Sequence, residues 1–205
     1  MKPILFNAEM VQAILAGRRT VIRRPVGEDK RGEWFAVNDC RNHEYGASVP
    51  CYLHREIAVD DTSCNIMYLK YDVGDVLWVR ETWARISDWA EVAPEVGLFD
   101  GYIYRADWGG VEQPRWRPSI HMPKEAARLF LLVTAVRAER LQDITEEQAV
   151  AEGFTPLIDR QTGAVLISAK ECFHIGWDFI YAAKGYGWEE NPWVWVIEFE
   201  KTGCA

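Results

Sequence analysis

The 205-residue sequence predicts a single α+β domain, a small β-barrel with a few helices around it. Three observations lead there. Five to seven segments read as strands and several of these are long, few segments read as helices, and no internal repeat divides the chain. A hydrophobic content of 49% over this length is enough for one sizeable core.

The elements follow in order. Asn7 caps a short helix with Met10, Val11, Ile14 and Leu15 at helical spacing, and Gly17 ends it. "RRTVIRRP" alternates as a strand, with Arg19, Val21 and Arg23 on one face and Thr20, Ile22 and Arg24 on the other; Pro25 stops it. Residues 26–70 are polar and turn-rich and read as an insertion with a hairpin of its own. A Gly74-Asp75 turn opens a strand over 76–84, and a further strand covers 102–106. "DWGGVEQPRWRPSIHMP" reads as an extended loop, and 123–128 as one helical turn before a strand over 129–141. Thr145 and Gln148 form a capping box, Ile144 staples it, and Gly153 closes the helix. Residues 155–169 read as a mobile loop. A second helix over 170–184 gathers Phe173, Trp177, Ile180 and Tyr181 on one face. "NPWVWVIEFEK" is apolar on both faces, which places it centrally in its sheet.

Charge bounds the partners. With net charge −8 and pI near 5.1, the chain lacks the broad basic footprint that long duplex DNA requires. Yet "AGRRTVIRRP" holds four of the 23 basic residues, Arg18, Arg19, Arg23 and Arg24, with no acid among them. A solvated strand with structural ion pairs is one reading; a site for a small anionic ligand is the other. Ten tryptophans supply core side chains and, beside arginines, faces on which a base stacks. No segment has the length and apolarity of a signal peptide or a membrane span. Five scattered cysteines do not make a secreted disulfide framework, so a cytoplasmic protein with reduced thiols is expected.

"ILAGRRT", "GDVLWVRETW", "RWRPSIHMP", "RLQDITEEQAVAEG" and "NPWVWVIEF" together resemble the ASCH-domain proteins, above all the larger members encoded by phages and prophages. The resemblance covers about residues 1–25, 71–155 and 170–200. It implies a PUA-like mixed barrel with a cleft between barrel and helices, and binding of RNA or of a modified nucleotide or nucleoside. Small members hydrolyse the amide of acetylated cytidine, and others are described as ribonucleases, so hydrolysis of RNA or of a modified nucleoside is a further implication. The amidohydrolase pattern has lysine third and threonine sixth in its "GRKTxT" segment. Here those positions are Arg19 and Ile22, while Glu152 matches the family's glutamate. Arginine cannot serve as a proton shuttle, and isoleucine cannot be a nucleophile. Thr20 is the nearest substitute hydroxyl and would need a base.

The candidate catalytic groups are therefore Glu152, Glu81, His121 and Thr20, and the candidate ligand-binding groups are Arg19, Arg23, Arg80, Trp83, Trp116 and Ser119. Arg19 and Arg23 share a strand face and suit bidentate contact with a phosphate; Arg24, beside Pro25, is the most expendable. Glu81 is either the partner of a structural arginine or an acceptor for a base's exocyclic amine. His121 is either a hydrogen-bonded structural imidazole or a proton-transfer group. Glu152, at a helix C-terminus, is either an ordinary surface carboxylate or, since the helix dipole disfavours it there, placed for a specific reason. In the insertion, Cys40, His43, Cys51 and His54 form a spaced pair of pairs that could close a zinc site, although their seven-residue gap is short for one. No cofactor or metal is expected. A second functional reading is a phage accessory protein that binds a host protein through the insertion.

Overall fold

The computed structural model describes residues 1–26, 71–86, 101–110 and 114–202. Its main sheet has five strands in the order β1 (Lys2–Leu5), β3 (Val76–Arg80), β6 (Phe130–Arg140), β9 (Trp193–Thr202) and β2 (Val21–Pro25). The β1–β3 pair is parallel and the others antiparallel. The remaining strands, β4 (Trp83–Arg85) with β5 (Tyr102–Tyr104) and β7 (Leu157–Ile158) with β8 (Val165–Ile167), form two small two-stranded sheets. Among the described residues three α-helices, α1 (Ala8–Leu15), α2 (Glu146–Ala151) and α3 (Ala169–Tyr181), give a mixed α+β architecture with these strands. Among the described residues no helix is long and apolar enough to cross a membrane.

Strand alternation divides the interior in two. Ile22 and, on β9, Trp195, Ile197 and Phe199 join Ile4, Phe6, Val11, Ile14, Leu77 and Leu131 in one core, beneath α1. Val21, Val194 and Val196 turn to the opposite face and pack with Phe173, Trp177, Ala149 and Ile144 of the α2–α3 layer. This is why the last segment is apolar on both faces: β9 lies between β6 and β2 and is covered on each side. The caps are as expected. Asn7 Oδ1 accepts from the Met10 amide at 2.8 Å, and Thr145 and Gln148 form the capping box. Glu146 then uses its carboxylate to accept from the Ala169 and Lys170 amides at 2.5 and 2.9 Å, tying the start of α2 to the start of α3.

Four local expectations are corrected. The strand expected over 76–84 breaks after Arg80: Glu81 turns its side chain into the protein, its amide meets Met122 Sδ at 3.2 Å, and the chain leaves the main sheet to pair with β5. The loop expected at 155–169 contains the β7–β8 hairpin, because Asp159 Oδ1 accepts from the Gln161 and Thr162 amides at 2.7 and 3.0 Å and fixes the turn. The segment around Ser119–His121 is a 3-10 turn rather than extended chain. The strand at 102–106 stops at Tyr104, where Arg105–Asp107 winds into another 3-10 turn. The proposed insertion, with Cys40, His43, Cys51 and His54, lies outside the described residues except at Val26.

A second capping box starts α3. The Ser168 amide donates to Glu171 Oε2 at 2.8 Å and holds that carboxyl below its usual range. A lowered carboxyl stabilises the fold above its unfolded pKa and loses that contribution as pH falls through the lowered value. Amide protection in the first turn of α3, after division by the intrinsic exchange rate at each pH, is therefore expected to fall over that acid interval, and Glu171→Gln should reduce the dependence while leaving the part due to Glu146.

Candidate functional site

The face of β2 that carries Arg19, Val21 and Arg23 turns towards α2, where Gln148 and Glu152 are one helical turn apart on the same side. Two sequence periods thus meet, i+4 on a strand and i+4 on a helix. Arg19 Nη2 donates to Glu152 Oε2 at 2.9 Å and Arg23 Nη1 to Glu152 Oε1 at 3.1 Å, so one carboxylate is held between two guanidinium groups. Arg23 Nη2 also donates to Glu139 Oε2 at 3.1 Å and to Gln148 Oε1 at 2.9 Å. Gln148 Oε1 still accepts from the Thr145 amide, so the capping box that starts α2 also braces Arg23.

The backbone holds this pairing in place. Arg19 and Glu152 form an isolated antiparallel bridge, and the Thr20 amide donates to the Ala151 carbonyl at 2.9 Å. Gly153 follows with φ +87°, and a Cβ there would lie 3.2 Å from Ala13 Cβ and 3.5 Å from Arg19 Cβ. Gly153→Ala is expected to cost about 1–2 kcal/mol from the left-handed backbone and the crowding of α1. Urea melts should show the loss, together with weaker docking of the Arg19 pair.

Arg19, Arg23 and Glu152 are 6%, 2% and 2% exposed. Burial pushes the Glu152 carboxyl up, against the downward pull of Arg19 and Arg23. Burial likewise lowers Arg19, against the pull of Glu152. The Nε atoms of both arginines are buried without hydrogen-bond partners. Arg19 also lines an open cleft of about 380 Å3 with Gly17, Thr20, Phe199, Glu200 and Lys201. Thr20 and Lys201 are exposed at this cleft, whereas Ile22 is core. Arg24 is not the idle residue its place beside Pro25 predicts. Its Nη1 donates to the Tyr181 hydroxyl at 2.8 Å and its Nη2 to the Leu5 carbonyl at 2.7 Å, joining α3 to the end of β1.

Glu81 belongs to a different cluster. Arg128 grips it in bidentate fashion, Nε to Oε1 at 2.9 Å and Nη2 to Oε2 at 3.0 Å, and also bonds Asp107. The Arg128 guanidinium lies 3.9 Å from the centre of the Tyr104 ring. Burial raises the Glu81 carboxyl against the pull of Arg128. Among the described residues, the charges that act on Glu81 are those of Arg128 and Asp107, and those that act on Glu152 are Arg19, Arg23 and Arg24. Arg19 and Arg23 thus meet Glu152, while Glu81, one of whose two expected roles was partner to a structural arginine, is held by Arg128.

No family model matches the sequence, and neither a curated protein nor a solved structure matches it.

The other candidates gather near Glu81. Arg80 bonds the Ile120 carbonyl and lies 5.4 Å from the Trp78 ring centre, which attaches the Ser119–His121 turn to the end of β3. His121 is exposed on that turn and Ser119 is half-buried. Trp83 is only 2% exposed and packs on Met122 and Ala126, so it is a core ring rather than an open stacking face. Trp116 is half-buried, with Trp108 edge-on at 6.0 Å and the Arg105 guanidinium 5.6 Å from its ring centre. Among the described residues no group of three or more His, Cys, Asp or Glu side chains could hold a metal ion.

Sequence reasoning missed Glu139, Gln148, Arg128 and Lys201. Gln148 was visible at i−4 from Glu152, but its capping role alone accounted for it. Glu139, Arg128 and Lys201 reach their partners only through strand pairing and chain crossings, for which the sequence carries no local signal. Chemically, among the described residues the β2 cluster offers guanidinium, carboxylate and carboxamide groups and no imidazole, thiol or amine. Such a set holds charge and orients ligands more readily than it moves protons.

Proposed function

We propose that the chain binds RNA or a nucleotide-sized part of it at the cleft beside Arg19, on a PUA-like barrel of the ASCH type. Support for the barrel comes from the two edges of the main sheet. Arg24 on β2 reaches the Leu5 carbonyl at the end of β1, α1 connects the same two strands, and one core runs beneath both. In this reading the gap between the edges is bridged by a helix and a side chain in place of a strand ladder.

The observation that carries the ligand assignment is Arg19 itself. It is a buried guanidinium with an unpartnered Nε, at the wall of a cleft of nucleotide size that also presents Thr20 and Lys201. A phosphate there would gain charge-assisted hydrogen bonds, and the acidic remainder of the surface would repel long polyanions. Binding without hydrolysis is the favoured form, because Glu152, the glutamate the resemblance would make catalytic, is occupied by two arginines.

Calorimetric titration with the four ribonucleoside monophosphates, cytidine and acetylated cytidine tests this. Monophosphates should bind more tightly than nucleosides. Thr20→Val and Lys201→Ala should each weaken binding about 10- to 100-fold, as expected for one lost bond to an ionised group, while Arg18→Ala has no effect. Unchanged binding in both cleft variants, or no binding by the wild type, would overturn the assignment. Chromatography of the same samples should show no hydrolysis product.

Protein binding, expected earlier through the insertion, is favoured as a second reading by exposed apolar side chains elsewhere. Phe179 is 92% exposed and Ile175 61% on α3, and Val165 and Leu166 of the β7–β8 hairpin are 61% and 60% exposed. Light scattering of the wild type and Phe179→Glu would reveal self-association through the exposed side of α3.

A further inference from the structure

Arg128 and Arg19 both hold buried glutamates but use the guanidinium edge differently. Arg128 closes its Nε–Nη2 edge on Glu81, one oxygen to each nitrogen, at 2.9 and 3.0 Å. Arg19 fills half of the same edge with Glu152: Nη2 donates at 2.9 Å, while Nε is buried without a hydrogen-bond partner. The cause is the second oxygen of Glu152, which is committed to Arg23 Nη1 at 3.1 Å. The two arginines are also unequally tied. Arg23 has further acceptors in Glu139 Oε2 and Gln148 Oε1, so it holds its place if its bond to Glu152 weakens. Arg19 lines the cleft beside Thr20 and Lys201. Burial disfavours the Glu152 anion and pushes its carboxyl up, which loosens its claim on both guanidinium groups.

We infer that Glu152 is an internal competitor for the ligand of the cleft: a phosphate takes the whole Nε–Nη2 edge of Arg19, and Glu152 is left to Arg23. The inference rests on the reading that an anionic group enters this cleft, and it adds what sets the affinity. A phosphate carries several oxygens on one centre, so it can meet Nε and Nη2 together, as Glu81 meets Arg128 and as Glu152 does not. Because Nε is buried, the ligand reaches it only when the guanidinium turns towards the cleft, and that turn gives up Glu152 Oε2. Arg19 exchanges one anion for another and is at no stage a bare buried cation, whose cost would forbid the step. The two anions therefore bind against each other at one guanidinium. Whatever weakens the hold of Glu152 on Arg19 tightens the ligand by the same factor.

The test is calorimetric titration with uridine monophosphate and with inorganic phosphate, at low and at high salt, with circular dichroism to establish that each variant is folded. Glu152→Gln should bind both probes about 10-fold or more tightly than the wild type, the low end for one bond to an ionised group. Glu200→Gln removes an exposed negative charge from the cleft wall itself. Its gain should be smaller and should vanish at high salt, where exposed charges are screened, whereas the gain in Glu152→Gln should persist. In an Arg19→Met background Glu152→Gln should bring no gain, since the competition acts through Arg19. The wild type supplies a measurement that needs no variant: on saturation with uridine monophosphate the Arg19 Nε–H proton resonance should move downfield as it gains an acceptor. Affinity in folded Glu152→Gln equal to or below that of the wild type, an equal gain in Glu200→Gln, or an unmoved Arg19 Nε–H resonance would overturn the inference. In each of those cases the cleft assignment stands if the wild type binds and Thr20→Val and Lys201→Ala weaken it. Binding by Glu152→Gln but not by the wild type would uphold the competition and remove the native ligand assignment. Absence of binding in both would remove the two together.

Discussion

Glu152→Ala is expected to destabilise the protein by about 3–5 kcal/mol, the range for removing one partner of a buried ion pair. Glu152 is 2% exposed and is the shared acceptor of Arg19 and Arg23. Its loss leaves Arg19 without its carboxylate partner, while Arg23 keeps Glu139 and Gln148. Chemical denaturation measures the size of the effect, and the variants divide it. Glu152→Gln keeps the shape and one acceptor oxygen, so it should cost less than the alanine. Adding Arg19→Met to Glu152→Ala should recover part of the loss, because an apolar side chain has no charge to leave buried. A loss below about 1 kcal/mol in Glu152→Ala would mean that water reaches the two guanidinium groups easily, and that the cluster is a wet surface network.

Arg128→Met is expected to cost about 3 kcal/mol, the lower end of the same range, because Arg128 is itself partly exposed while Glu81 is 1% exposed. The substitution strands the Glu81 carboxylate, whose amide neighbourhood offers Met122 Sδ, an acceptor of no use to an anion. It also removes the cation stacked on Tyr104. Glu81→Gln with Arg128→Met should lie between the single variant and the wild type. With Arg128 gone, the carboxyl of Glu81 is pushed up by burial with nothing to pull it down. A raised carboxyl contributes stability below its unfolded pKa and loses it as pH rises through the folded value. The deficit of Arg128→Met relative to the wild type should accordingly widen from acid towards neutral pH. Melting curves across that range would show it, and a deficit independent of pH would count against a stranded carboxylate.

The sequence by itself determined the elements whose signals are local. Asn7 and the Thr145–Gln148 box set where α1 and α2 begin, and two-faced apolarity put β9 inside its sheet with neighbours on both sides. Alternation put Arg19 and Arg23 on one face; that Glu152 is buried between them rather than lying on the surface came from the fold. Breaks in regularity were less legible. The departure of the chain after Arg80 depends on Arg128 waiting 47 residues later to receive Glu81, and nothing in "WVRETW" distinguishes it from a longer strand. The 155–169 hairpin was hidden because its apolar residues face outward, without the alternation that a half-buried strand displays.

Only the tertiary structure decided which arginine meets which carboxylate. Periodicity fixes the face a side chain occupies, but the partner on that face comes from strand order and from the crossing of α2 over β2. Arg19 and Arg23 therefore meet Glu152, while Glu81 is matched by Arg128, a residue with no local signal. Arg24, expendable by its position beside Pro25, joins the two edge strands because the sheet brings Leu5 within 2.7 Å of its guanidinium. Charge pairing acts through space over a few ångströms, and the distances that set it exist only once the chain has folded.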